Sequence, residues 1–261
     1  MGFDLADYVG RVQPVTVDDL DFGSFRDRPL DPEALRCLRY MHDVENHTVC
    51  YLRDLLVTRA HREPEITTFL TLWNFEEFWH GEAIASVLRA HGELAGIDRV
   101  APMRRSLGRK DRAEPLLMWL ASTVAPDFVA VHMTWGAINE WSTQAAYARL
   151  GARAKNPVLS ELLRRLMRQE GRHIDFYSSE AARRLARSRA AQRLTRLALK
   201  KLWTPVGAGV MPASEVRFLI RYLFAGEGRA SVQRIDRCVD RLPGLEGLGL
   251  ADRALCTYGS F

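Results

Sequence analysis

The chain has little cysteine, and none of it is grouped. Its four cysteines, at 37, 50, 238 and 256, form no Cys-x-x-Cys. That argues against zinc knuckles, rubredoxin-type iron sites and a disulfide framework, and it suits reduced thiols in a cytoplasm. No basic-then-apolar leader opens the sequence, and no apolar run of about 20 residues occurs, so a membrane span is not expected. No Ser/Gly-rich linker divides the chain, which reads as one domain over 1–261. Acid is absent from residues 181–201, which hold eight Arg or Lys. The whole chain carries a formal charge of +5, so the positive charge is concentrated there. That run reads either as a solvated basic face or as a dock for an acidic protein partner. No nucleic-acid-binding motif accompanies it.

What the chain does have is a repeated pair. Glu77-Phe78-Trp79-His80 and Glu170-Gly171-Arg172-His173 are both Glu-x-x-His. Residues three apart share a helix face, so each pair aims a carboxylate and an imidazole the same way. Four stripes at alternating three-four spacing surround these pairs. They run Leu35, Leu38, His42, Glu45, Val49, Leu52, Leu56; then Ile66, Leu70, Trp73, Glu77, His80, Ile84, Val87. The third is Val129, Met133, Gly136, Glu140, Thr143, Tyr147, Leu150, and the fourth is Leu159, Leu163, Leu166, Glu170, His173, Tyr177, Ala181. Each apolar stripe is interrupted near its middle by Glu. Unpaired buried carboxylates cost several kcal/mol each, and four at one depth repel unless cations neutralise them.

Loop positions agree with this picture. Glu45 and the Glu77/His80 pair centre near residue 62, and Glu140 and the Glu170/His173 pair centre near 156. Both midpoints fall beside a proline, at Pro64 and Pro157, where a hairpin turn belongs. The chain therefore reads as two helical hairpins of one plan, Glu followed by Glu-x-x-His. One Glu from each of two helices and one Glu-x-x-His from each of two others is the ligand set of a di-iron four-helix bundle. Glu45, Glu77, His80, Glu140, Glu170 and His173 are the expected ligands. Their oxygen and nitrogen donors suit two iron ions, with manganese or a mixed pair equally compatible.

The expected layout follows. Residues 1–30 form an extended arm. Asp31-Pro32-Glu33 starts a helix that runs to about 60, and a second helix spans about 64–91. A long crossover over 92–124 holds a basic patch (Arg104, Arg105, Arg109, Lys110, Arg112) and a short apolar helix, Leu116 to Val124. Ala125-Pro126-Asp127 opens the third helix, which ends near Gly151, and the fourth covers about 157–187. Residues 188–261 add helices at about 213–225 and 228–241 and a Gly-rich tail from Leu242 to Gly249.

These motifs resemble the soluble acyl-ACP desaturases of the ferritin-like di-iron superfamily. The second-helix motif of that family is similar to Glu76-Glu77-Phe78-Trp79-His80. Its third-helix motif resembles Glu140-Trp141-Ser142-Thr143, and its fourth-helix motif resembles Glu170-Gly171-Arg172-His173. Glu45 matches by spacing, and Arg241-Leu242-Pro243 resembles the family's C-terminal part. The resemblance spans about 31–187. It implies an all-α, ferritin-like four-helix bundle with a long crossover and extra C-terminal helices. It also implies an O2-dependent oxidase that abstracts hydrogen from an unactivated C–H bond of an acyl-type substrate. An acidic carrier protein, a ferredoxin-type electron donor and a homodimer come with it, and Thr143 becomes a proton-delivering residue beside the oxygen-binding face. Two departures stand out: the chain is shorter than the plant enzymes, and Gln169 occupies a position where the family has Asp. A hydroxylase or N-oxygenase is the alternative, although N-oxygenases carry a further His where this chain has Leu166. Ferritin-type iron storage or peroxide removal is a third reading, and a bundle that keeps its metals for structure alone is a fourth.

Outside the ligand set, Glu76 lies off the stripe, His42 reads as a core histidine, and Arg172 as the partner of a nearby carboxylate. Tyr177, one turn after His173, reads as core packing or as a redox residue beside the site. Gly136, with Met133 above it, reads either as close helix packing or as room beside the metals for a slender apolar substrate.

Overall fold

The computed structural model describes residues 3–125 and 127–259, and among them there is helix and no strand. Pro126, expected at the opening of the third helix, lies outside the described residues, as do the side chains of Arg109 and Lys110 from the expected basic patch.

The arm is not simply extended. It holds α1 (Leu5–Arg11), capped by the Asp4 carboxylate, and a 3-10 turn over Phe22–Arg26. Next comes α2 (Pro32–Glu45), where Asp31 accepts from the Ala34 N–H at 2.8 Å and Pro32 takes the first helical position. A single first helix to residue 60 does not form. The chain breaks at Asn46-His47 and resumes as α3 (Thr48–Leu56). Side chains take up carbonyls freed at the break: Thr48 Oγ1 donates to Glu45 O and Arg104 to Asn46 O, while Asn46 Nδ2 adds a second donor to His42 O. The break rotates everything after Glu45. Val49 and Leu56, expected inward, are 40% and 39% exposed, while Leu55 is fully buried.

The other three stripes hold. α4 (Pro64–Ala90) buries every one of its stripe residues. The crossover contains two helices rather than one, α5 (Ile97–Ser106) and α6 (Arg109–Val124). α7 (Phe128–Ala154) and α8 (Pro157–Arg187) form the second hairpin, turning at Lys155 in the left-handed region (φ 48°) and at Asn156, whose side chain caps α8. Then follow α9 (Arg189–Leu202), α10 (Ala213–Phe224), α11 (Arg229–Asp240) and α12 (Leu250–Gly259). The last follows the Gly-rich stretch 242–249, beyond which no further helix is expected from the sequence.

The α2–α3/α4 hairpin packs on the α7/α8 hairpin through α4 against α8 and α2 against α7. Two apolar clusters result. One gathers Leu38, Ile84, Leu88, Leu150, Leu163 and Leu166; the other gathers Leu55, Ile66, Phe69, Leu70, Met133 and Ala181. The six expected ligands lie between them, in a polar layer sealed at both ends. α9 covers α7 and α8, and α10, α11 and α12 form a layer against α2 and α7.

Candidate metal centre

Glu45 ends α2, Glu77 and His80 sit mid-α4, Glu140 sits mid-α7, and Glu170 and His173 sit mid-α8. All six are less than 9% exposed. Their ligand atoms form two groups, Glu45–Glu77–His80–Glu170 and Glu77–Glu140–Glu170–His173, each with its atoms within 4.8 Å of one another. Glu77 and Glu170 belong to both. The hairpins thus bring all six expected ligands to one place, with one carboxylate from each hairpin in the shared position.

Each imidazole points Nδ1 into this space. His80 Nδ1 lies 3.2 Å from Glu170 Oε1, and His173 Nδ1 lies 3.1 Å from Glu77 Oε1. The other ring nitrogen is held from behind. Gln169 donates its Nε2 to Gln13 O at 3.1 Å, so its Oε1 faces His80 and accepts from Nε2 at 2.8 Å. Glu76 Oε2 accepts from His173 Nε2 at 2.9 Å and from the Tyr8 hydroxyl at 3.0 Å, while Arg172 binds Oε1 at 2.5 Å. A proton fixed on Nε2 leaves Nδ1 to face the centre, and a carboxylate behind a ring makes it a stronger donor than an amide does. The two histidines therefore differ in strength.

The two outer carboxylates are held as well. Tyr147 donates its hydroxyl to Glu45 Oε1, and Trp73 donates Nε1 to Glu140 Oε1 at 3.0 Å. Sequence reasoning treats Trp73 and Tyr147 as packing and Glu76 as peripheral. Their roles depend on side-chain reach across helices, which stripe position alone does not reveal. Arg172 does pair with a carboxylate, as expected. His42 is a core histidine: Gly96 N donates to its Nε2, and its Nδ1 lies 3.0 Å from Asp43 Oδ1. Gly136 serves both expected ends: a Cβ there would come within 2.5 Å of the Tyr177 ring, so α7 packs closely, and Gly136 also lines a cavity of about 150 Å³ with Glu45, Glu77 and Glu140.

Charge explains what the centre needs. Burial, then the neighbouring Glu45, Glu170 and Glu140, holds the Glu77 carboxyl well above the usual range. Burial and then Glu170 do the same to Glu140. Glu170 moves the other way: burial opposes its charge, but His80 and His173 outweigh burial and pull it down. The imidazoles are raised in turn, since the carboxylates outweigh the burial that would lower them. Such a cluster binds positive charge, as protons or as cations. Glu77 Oε1, Glu170 Oε1 and His80 Nδ1 are buried without a hydrogen-bond partner, a set of bare donors that fits a metal cation.

Thr143 lies beside the centre on α7. It lines an apolar cavity of about 80 Å³ that Glu45, Met41, Tyr147, Leu219, Ile220 and Leu255 also border. It also lines a second cavity, of about 150 Å³, bordered by Glu45, Glu77 and Glu140. Thr134 and Ser142 return their hydroxyls to backbone carbonyls of their own helix, whereas among the described residues the Thr143 hydroxyl has no such bond. The expected basic face is partly spent: Arg183 pairs with Glu180, and Arg184 with both Glu180 and Glu63. No helix of the described residues is long and apolar enough to cross a membrane. No family model, curated protein or solved structure matches the chain.

Proposed function

We propose that the chain is an O2-dependent di-iron oxidase of the ferritin-like carboxylate class, resembling the acyl-ACP desaturases, that attacks a C–H bond of an apolar, acyl-type substrate. The observation that carries this reading is the pair of overlapping ligand groups sharing Glu77 and Glu170. Four ionised carboxylates with two neutral imidazoles are balanced by two divalent cations, and oxygen and nitrogen donors suit ferrous iron or manganese. When bound, two ferrous ions would supply two electrons to O2, and the reduced O2 would supply the oxidising power for hydrogen abstraction.

The chain's own residues do the rest. Trp73 and Tyr147 hold the outer carboxylates, and Glu76 and Gln169 hold the imidazoles. The Thr143 hydroxyl offers a proton at Oγ1 at the border between the centre and the apolar cavity. That cavity takes the reacting part of the substrate. Its volume of about 80 Å³ equals roughly two to three water volumes, hence a few methylenes. The basic residues of α9 that remain unspent suit an acidic carrier protein or a ferredoxin-type donor.

Two observations weigh against the alternatives. Leu166, one turn before Glu170, is fully buried in apolar surroundings where an N-oxygenase has a further imidazole. An apolar cavity against the centre has no use in iron storage. The test is O2 uptake by anaerobically ferrous-loaded protein with and without acyl thioesters. The oxidase couples uptake to product and speeds up with substrate; a storage protein consumes O2 at one rate in both.

A further inference from the structure

A second cluster of metal-ligand side chains lies outside the centre. His47 at the α2–α3 break, Cys50 in the first turn of α3 and Asp111 in the first turn of α6 each offer one ligand atom, all within 4.8 Å of one another. All three residues are half-buried. The break after Glu45 makes the cluster possible: it turns α3, so that the face carrying His47 and Cys50, three residues apart, meets α6.

The surroundings leave these groups available. His47 Nδ1 is buried with no hydrogen-bond partner, an unfavourable state for a polar atom kept from water. Cys50 is a thiol, not part of a disulfide. Arg53 donates to both Asp111 carboxylate oxygens, at 3.2 and 3.5 Å, and binds Asp54 at 2.8 Å; a bound cation replaces Arg53 on one Asp111 oxygen and leaves the guanidinium its shorter bond to Asp54. His47 and Asp111 line a cavity of about 270 Å³ with Asp54 and Glu114, whose carboxylates add negative potential. This cavity shares His47, Tyr51 and Asn139 with the 150 Å³ cavity that reaches Glu45, Glu77 and Glu140. The cluster thus stands on the polar approach to the centre.

We propose that His47, Cys50 and Asp111 form a separate mononuclear site for a thiophilic divalent cation of the zinc class. One sulfur, one nitrogen and one oxygen suit borderline-soft cations and not magnesium or calcium, which take oxygen alone. Three protein ligands leave a fourth position for water from the adjoining cavity. Binding releases the Cys50 thiol proton to solvent and leaves the thiolate on the metal, with no change of oxidation state. This site does not depend on the proposed oxidase activity.

The sulfur makes the two sites separable by spectroscopy, since none of the six residues of the central cluster is a cysteine. The experiment is anaerobic titration of the reduced full-length protein with Co2+, read by near-ultraviolet absorption. A saturable thiolate-to-cobalt band with the final intensity of one cobalt–thiolate bond per chain is expected. It should vanish in Cys50→Ala and need at least about tenfold more Co2+ in Asp111→Asn, with helicity by circular dichroism unchanged in both. Loss of this site leaves cobalt binding without the sulfur band, so the result is readable whatever happens at the central carboxylates. No band in the wild type, or a band that survives Cys50→Ala, overturns the proposal.

Discussion

In the proposed oxidase, Thr143 is the residue placed to deliver a proton. It borders both the centre and the apolar cavity, and its hydroxyl is not returned to its own helix. An alcohol ligates iron poorly beside four carboxylates, so Thr143→Ala should keep the metals. It should lower product formed per O2 consumed, because a positioned proton donor is lost. An unchanged ratio removes Thr143 from the mechanism. Tyr8 tests a different residue-level claim. It reaches Glu76, which holds His173. Tyr8→Phe should cost about 1 kcal/mol of stability and alter the spectroscopic signature of one metal position only, the one that His173 faces. A signature identical to wild type separates the arm from the centre. His132 offers a pH test away from the site. Burial drops its imidazole from 6.5 to about 4, and its Nε2 has no partner. A depressed folded pKa stabilises the fold above pH 6.5, and that stability is lost as pH falls from 6.5 toward 4, where only the unfolded chain takes the proton. Denaturant unfolding should show a loss of up to about 3 kcal/mol across that window. His132→Leu should flatten that part of the curve; an unaltered slope assigns it to other groups.

At the scale of helices, the close approach of α7 to α8 rests on Gly136. The Tyr177 ring occupies the place of a Cβ. Gly136→Ala should therefore cost about 1–3 kcal/mol by overpacking, measurable as a lowered melting temperature. An unchanged melting temperature means the ring yields freely. The arm is the other element with consequences. α1 supplies Tyr8, and the following segment supplies the Gln13 carbonyl that orients Gln169. Both histidines are thus braced by one stretch of chain that reads, from its scattered Pro, Gly and Asp, as featureless. Helix periodicity finds helices that bury a stripe, and α1 is too short for its stripe to register. The break at Asn46-His47 escapes for another reason. Neither Pro nor Gly marks it, and the side chains of Asn46 and Thr48 that cap it carry no strong sequence signal.

Over the whole molecule, the spacing of Glu45, Glu77, Glu140 and Glu170 made the two hairpins and the polar layer legible, because turn midpoints and stripe interruptions depend only on helix geometry. Trp73, Tyr147 and Glu76 were not legible as supports of that layer, since an aromatic on an inward stripe looks the same whether its polar end meets a carboxylate or nothing. The apolar cavity depends on how α10 and α12 close over α2 and α7, and no periodicity encodes that docking. The account's central claim is a two-ion centre with Glu77 and Glu170 shared. It is tested most directly by anaerobic ferrous titration calorimetry in a Cys50→Ala background, which sets the second cluster aside. Two ions per chain are expected. Glu140→Ala should retain about one, because Glu45, Glu77, His80 and Glu170 remain, while Glu170→Ala should lose both. One ion in the parent, or two retained in Glu170→Ala, would contradict the shared-carboxylate centre.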